Sequence, residues 1–177
     1  MTGKTIELLG ERVRLTRFSA ADITEDYLGW LNDPIVTRLS NQRFVTHDRA
    51  SSERYLASFD GSPHHFLSVR RRDGDRAIGT MTAYVSPHHG TADMGIMIGE
   101  RSAWGGGFGQ DAWNSLLAWL LGEGGMRKVT AGTLAINQPM IRIAEQSGMM
   151  LEGRRARQEI VEGEAVDILQ YARFADD

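Results

Sequence analysis

The sequence predicts an α/β (α+β) fold, a mixed and mostly antiparallel sheet with helices on its faces, in one domain spanning residues 1–177. Three observations predict it. Short segments of two-residue alternation occur in pairs joined by Gly-bearing turns, as in hairpins. Segments of helical periodicity lie between them. The 177 residues, 41% hydrophobic and 24% charged, suit one packed core and leave little room for a second.

Taken in order, "RVRLTRF" (Arg12–Phe18) alternates like a half-buried strand. Ser19 and Asp22 have capping-box spacing, which predicts a helix through Leu31 that stops before Pro34. Short helices are expected over Pro34–Leu39 and Asp48–Phe59, the second ending at Gly61. "HFLSVRRR", the turn Asp73–Asp75 and "AIGTMTAYV" (Ala77–Val85) read as a hairpin, followed after "PHHGT" by a third strand, Ala92–Gly99. Ala112, Leu116, Leu117, Leu120 and Leu121 share one helical face. "RKVTAGTLA" (Arg127–Ala135) is a strand, and Asn137 caps a helix with Pro139 in its first turn and Gly148 at its end. "MLEGRRARQEIV" and "AVDILQYARF" close the chain as a hairpin around Glu162–Glu164.

Composition narrows the function classes. A net charge of −3 gives no bulk attraction to nucleic acid or anionic lipid. No apolar run reaches membrane-spanning length, and the N-terminus lacks a signal-peptide layout, so a cytoplasmic protein is expected. The absence of cysteine excludes disulfides, thiolate metal sites and a cysteine nucleophile. The five histidines are not spaced as a metal site, and no metal is expected. Glycine is in excess, 20 residues where about 12 would be ordinary at this length.

Much of that excess falls in "AWGGGFGQDAW" (Ala103–Trp113), at the mouth of a helix. The first turn of a helix leaves N–H groups without intrahelical partners, and the dipole adds positive potential there. Glycines permit positive φ and close approach, so the segment is either a surface turn or a phosphate cradle built from backbone. A P-loop needs Gly-Lys-Ser/Thr, whereas Gly109 is followed by Gln110 and Asp111. Gly107, Gly109 and Ala112 match a dinucleotide fingerprint, but the ribose-binding carboxylate expected about 20 residues later is missing from "KVTAGTLA".

A third pattern fits better. "MGIMIGERSAWGGGFGQDAW" resembles the strand, pyrophosphate loop and helix of the GNAT superfamily of acyl-CoA-dependent N-acetyltransferases, with the loop spacing kept by Trp104, Gly107 and Gly109. "INQPMIRIAEQSGMMLEG" resembles the family's Asn-led helix and the strand after it. "ERVRLTRF" and "YLGWLNDPIVTRL" resemble the N-terminal region of the branch that acetylates ribosomal-protein N-termini and amino sugars. The resemblance covers nearly the whole chain and implies a GNAT-like sheet.

The resemblance implies acetyl-CoA as co-substrate and a small-molecule or N-terminal amine as acceptor; a homodimer stays open. It implies that the strand before the loop bulges and that Ile96, Met97 and Ile98 bind pantetheine, with an N–H near Met97 polarising the thioester carbonyl. The loop N–H groups of Trp104, Gly105, Gly106, Gly107, Phe108, Gly109 and Gln110 would hold the pyrophosphate. Asn137 serves as N-cap, as a contact to the cofactor arm, or as both; Met140 and Ile143 line the same channel or are plain core. The family's tyrosine acid is replaced by Ala144, which leaves a non-catalytic acyl-CoA sensor as the rival reading. Candidate bases are His89, Asp93 and Glu145; His64 and His65 are not separable from sequence. A histidine titrates near working pH, so His89 could take the amine proton or simply be solvated. Trp30 offers an apolar wall and Asn32 and Asp33 polar contacts for the acceptor, or else a core tryptophan and a helix stop.

Overall fold

The computed structural model describes residues 6–176. Eight strands form one sheet: β1 (Glu7–Leu9), β2 (Val13–Arg17), β3 (His65–Arg71), β4 (Ala77–Ser86), β5 (Thr91–Ile98), β6 (Lys128–Leu134), β7 (Met150–Val161) and β8 (Glu164–Phe174). Their order is β1-β2-β3-β4-β5-β6-β8-β7, antiparallel throughout except for β5 and β6. The expected mixed, mostly antiparallel sheet is therefore present. Tight turns serve its hairpins: Gly74 and Asp75 join β3 to β4, and Glu162 and Gly163 join β7 to β8, all at positive φ.

Helices α1 (Glu25–Asn32), α2 (Pro34–Thr37) and α3 (Arg49–Ala57) precede β3, α4 (Phe108–Leu121) links β5 to β6, and α5 (Gln138–Gln146) links β6 to β7. On α4, Ala112, Trp113, Leu116, Leu117 and Leu120 are buried. They pack with Val13, Leu15, Leu67, Val69, Ile78 and Met81 into the larger core. Fully burying each such Leu contributes about 1.5–3 kcal/mol. A second, aromatic core on the opposite face joins Phe18, Ile23, Tyr27, Trp30, Phe59 and Phe66. Among the described residues no helix is long and apolar enough to cross a membrane.

Two departures from the sequence reading have clear causes. Strand β1 was not expected, since three residues with one charge carry no periodicity. The helix expected over Ser19–Leu31 is broken into a single 3-10 turn, Ala20–Asp22, and α1. Asp22 accepts from the Ser19 N–H at 2.8 Å and also pairs with Arg70 at 2.7 Å. That pairing ties the turn to β3, and Thr24 starts the next helix by accepting from the Tyr27 N–H at 3.2 Å.

Candidate active site

The site arises where the parallel pair comes apart. Strands β5 and β6 are in register only at Thr91–Lys128, Ala92–Val129 and Asp93–Thr130. Beyond Asp93, β5 stays with β4 while β6 stays with β8. The resulting cleft, about 230 Å³, is bordered by Met94, Gly95 and Ile96 on one strand and Gly132, Thr133 and Leu134 on the other. Trp113, Asn137 and Met140 close it on the α4–α5 face; Leu39, Asn41 and Glu159 approach from elsewhere. The bulge expected at Ile96–Ile98 is not what opens it. The β4–β5 register runs unbroken from Gly79–Ile98 to Ser86–Thr91. Gly79 permits this, because a Cβ there would overlap the Met97 carbonyl.

At the far end of β5 the chain enters the glycine loop. Gly105 and Gly107 have φ of 76° and 79°, the left-handed region that favours glycine. Asp111 is the first residue of α4 whose N–H returns to the Gly107 carbonyl, so the N–H groups of Phe108, Gly109 and Gln110 have no intrahelical acceptor. They fit a phosphate-bearing group. The Trp104 indole donates to the Ile98 carbonyl at 2.7 Å and fastens the loop to β5. Arg12 donates to the Gly106 carbonyl at 3.0 Å. A Cβ on Gly109 would lie 3.3 Å from Ile143 Cδ1, so its smallness also lets α4 and α5 close together. Gln110 Nε2 donates to the Ile143 carbonyl at 3.2 Å across the same junction and, within α4, to Asn114 Oδ1 at 3.0 Å.

The remaining sequence candidates divide sharply. Ile96, Asn137 and Met140 border the cleft, and Asn137 also accepts from the Met140 N–H at 3.3 Å as N-cap. Met97 packs toward the aromatic core, whereas Ile98 and Ile143 pack toward the larger one. Asp93 is the last β5 residue in register with β6; its side chain is exposed, is not among those bordering the cleft, and accepts from Thr130 Oγ1 at 2.7 Å. Protein mass around it raises its carboxyl above the ordinary range, against the lowering effect of that hydrogen bond. His89 lies in the β4–β5 turn, on the closed side of the Asp93–Thr130 pair, and is exposed. Glu145 accepts from the Tyr171 hydroxyl at 3.1 Å. His64 Nδ1 accepts from the Val85 N–H at 3.0 Å, and burial lowers the His65 imidazole. Ala144 is 1% exposed within the larger core.

The three acceptor candidates are engaged in the fold. Trp30 is 9% exposed, against Gly99, where a Cβ would overlap its ring. Asn32 accepts from the His47 N–H and donates to the His47 carbonyl, both at 2.8 Å, which pins the chain before α3. Asp33 caps α2 by accepting from the Ile35 N–H at 2.8 Å and faces Arg101 at 3.6 Å. Sequence reasoning missed Trp113, Glu159 and Asp111. Asp111 accepts from the backbone N–H groups of Glu11, Arg12 and Val13 at 3.1, 2.8 and 2.9 Å. Among the described residues no cluster of three His, Cys, Asp or Glu could hold a metal ion.

A parted strand pair with a loop of free backbone N–H groups beyond it has the shape to take a long, phosphate-bearing group. Residues 12–150 match the family model for the "Acetyltransferase (GNAT) domain". The chain belongs to that family and is an acetyltransferase. Solved structures agree on the fold. An acetyltransferase (GNAT family) from Bacillus anthracis aligns over 97% of this chain and 100% of its own, with a TM-score of 0.83 and 17% identity. The ribosomal-protein-S5-alanine acetyltransferase from Vibrio fischeri aligns over 97% and 98%, with a TM-score of 0.83 and 14% identity. Spermidine N-acetyltransferase from Vibrio cholerae, solved with CoA and spermine, aligns over 93% and 96%, with a TM-score of 0.81 and 15% identity. No curated protein matches the chain significantly by sequence.

Proposed function

We propose that this protein transfers an acetyl group from acetyl-CoA to a primary amine by direct attack within a ternary complex. The observation that carries the reading is the cleft between β5 and β6, which opens just beyond the Asp93–Thr130 pair, with the phosphate-competent loop beyond the end of β5. Acetyl-CoA supplies the activated acyl group. The N–H groups at the start of α4 would hold its pyrophosphate, and the edges of β5 and β6 would flank its arm. The absence of cysteine excludes a cysteine-bound acyl intermediate. Asp93, raised by its surroundings, is a better proton acceptor than a free carboxylate and would take a proton from the acceptor's ammonium, freeing the nitrogen lone pair that attacks the thioester carbonyl. Glu159 adds an acidic group at the cleft and favours a cationic acceptor. The spermidine and ribosomal-protein acetyltransferases among the structural neighbours support two such acceptors, a polyamine and an N-terminal amine.

The test is CoA release from acetyl-CoA in the presence of polyamines, N-terminal peptides and amino sugars. Turnover is expected with at least one cationic class. Tight acetyl-CoA binding with no turnover on any of them would replace the enzyme by a sensor.

A further inference from the structure

We propose that the Arg12 side chain sets the phosphate cradle by holding the Gly106–Gly107 peptide in the orientation that turns the Gly107 N–H away from Arg12. The inference rests on the reading of the loop given above and adds to it a positioning residue from outside the loop. Arg12 Nη1 donates to the Gly106 carbonyl at 3.0 Å, and a Cβ on Gly107 would lie 3.8 Å from Arg12 Nε. In a trans peptide the carbonyl and the following N–H lie in one plane and point opposite ways. A Gly106 carbonyl fixed toward Arg12 therefore fixes the Gly107 N–H on the other side. Gly107 is exposed, and its N–H has no acceptor among the described residues. It directly precedes the N–H groups of Phe108, Gly109 and Gln110, and a run of successive free N–H groups is what an anion site is made of.

This peptide needs a holder. A plane between two glycines meets no Cβ whichever way it turns, so its flip costs little. The other loop bonds fix the neighbouring planes instead: the Gly106 N–H returns to the Ala103 carbonyl at 3.3 Å, and the Gly107 carbonyl accepts from the Asp111 N–H at 3.1 Å. Among the described residues, Arg12 supplies the only hydrogen bond to the Gly106–Gly107 plane. Arg12 is itself anchored by its backbone. Its N–H donates to Asp111 at 2.8 Å and its carbonyl accepts from the Arg72 N–H at 2.9 Å. Its guanidinium makes no ion pair among the described residues, whereas Arg14, Arg70 and Arg71 each do.

The test is Arg12→Met, which keeps an unbranched stem, removes the donor and leaves the backbone bonds to Asp111 and Arg72 in place. Its affinity for acetyl-CoA in calorimetry should fall by about two- to tenfold, the shift that loss of one hydrogen bond imposes on a two-state peptide. The fall should be equal at low and high salt, because Arg12 acts through the loop and not by attraction to the phosphates. Affinity for S-acetylpantetheine, which ends before the pyrophosphate, should match that of the wild type in an NMR titration. A loss shared by both ligands, a loss that vanishes at high salt, or no loss overturns the proposal. Should the variant not fold, the wild-type protein decides the matter: the assigned Gly107 amide resonance should move downfield with CoA and stay in place with pantetheine. An unmoved resonance in a protein saturated with CoA, or equal movement with pantetheine, overturns the role of Arg12 and leaves the cleft reading intact. A wild-type protein that fails to bind acetyl-CoA overturns both.

Discussion

Removing the carboxylate of Asp111 should detach the segment before β2 from the start of α4. Its two oxygens accept three backbone N–H groups, from Glu11, Arg12 and Val13. Hydrogen bonds to a charged acceptor contribute about 1.5–3 kcal/mol each, but the first two donors are exposed and water replaces the carboxylate there. Only the Val13 N–H is partly buried, so Asp111→Ala should cost about 2–4 kcal/mol, one strong bond plus remnants of two. Asp111→Asn retains one acceptor oxygen, enough for Arg12 and Val13, and should cost roughly half as much. Urea titration reads both as a lower midpoint at constant slope. Gly10 supplies an internal control, because a Cβ there would overlap the Asp111 carboxylate. Gly10→Ala should therefore destabilise the wild type and be nearly silent beside Asp111→Ala, a coupling of about 0.5–3 kcal/mol. A cost below about 1 kcal/mol for Asp111→Ala, or equal costs of Gly10→Ala in both backgrounds, would refute the clamp.

Gly107, at a φ of 79°, should lose about 1–2 kcal/mol as alanine and less as asparagine, which tolerates that conformation. Both variants should weaken acetyl-CoA binding at least about tenfold (1.4 kcal/mol) in calorimetry, and unchanged affinity in either would remove the loop from the phosphate site. Asp93→Asn should slow turnover by about 10²–10⁴-fold and abolish the acidic limb of the kcat/KM profile. In the wild type that limb should lie above the ordinary carboxylate range and rise with pH as Asp93 ionises. His89→Ala should turn over near the wild-type rate; a His89-dependent limb would transfer the base to the β4–β5 turn. Because the folded Asp93 carboxyl titrates higher than the unfolded one, its ionisation opposes folding. That effect is absent below the unfolded pKa and complete above the folded one. Asp93→Asn should then melt no lower than the wild type at pH 7, and a clear loss in Tm would contradict the burial effect.

What the sequence made legible was local. The α4 stripe could be read because Leu116, Leu117 and Leu120 repeat at helical spacing and all face the core. The hairpin turns could be read because Gly74 and Gly163 need positive φ. The loop spacing and the Asn137 helix could be read from motif register, and Asn137 does border the cleft. The remainder depends on partners distant in sequence. Asp22 breaks a helix through its pairing with Arg70, and Asn32 is taken up by the backbone of His47. Glu159 could not be placed because β7 shifts register between Arg155 and Glu159, which resets the two-residue alternation. Trp113 looked like one more apolar residue on a buried helix; only the parting of β5 from β6 brings it to the border of the cleft.

That parting has a mechanical side. Three paired rungs, extended by the Arg127 N–H bond to the Gly90 carbonyl at 2.8 Å, join the β1–β5 meander to the β6–β8–β7 leaf. A molecule lying in the seam is a splint: it bridges two leaves that the backbone itself barely stitches together. Loading and the cohesion of the sheet then rise together. Amide exchange along Met94–Ile98 should slow on loading, and unchanged exchange in a saturated protein would refute the splint.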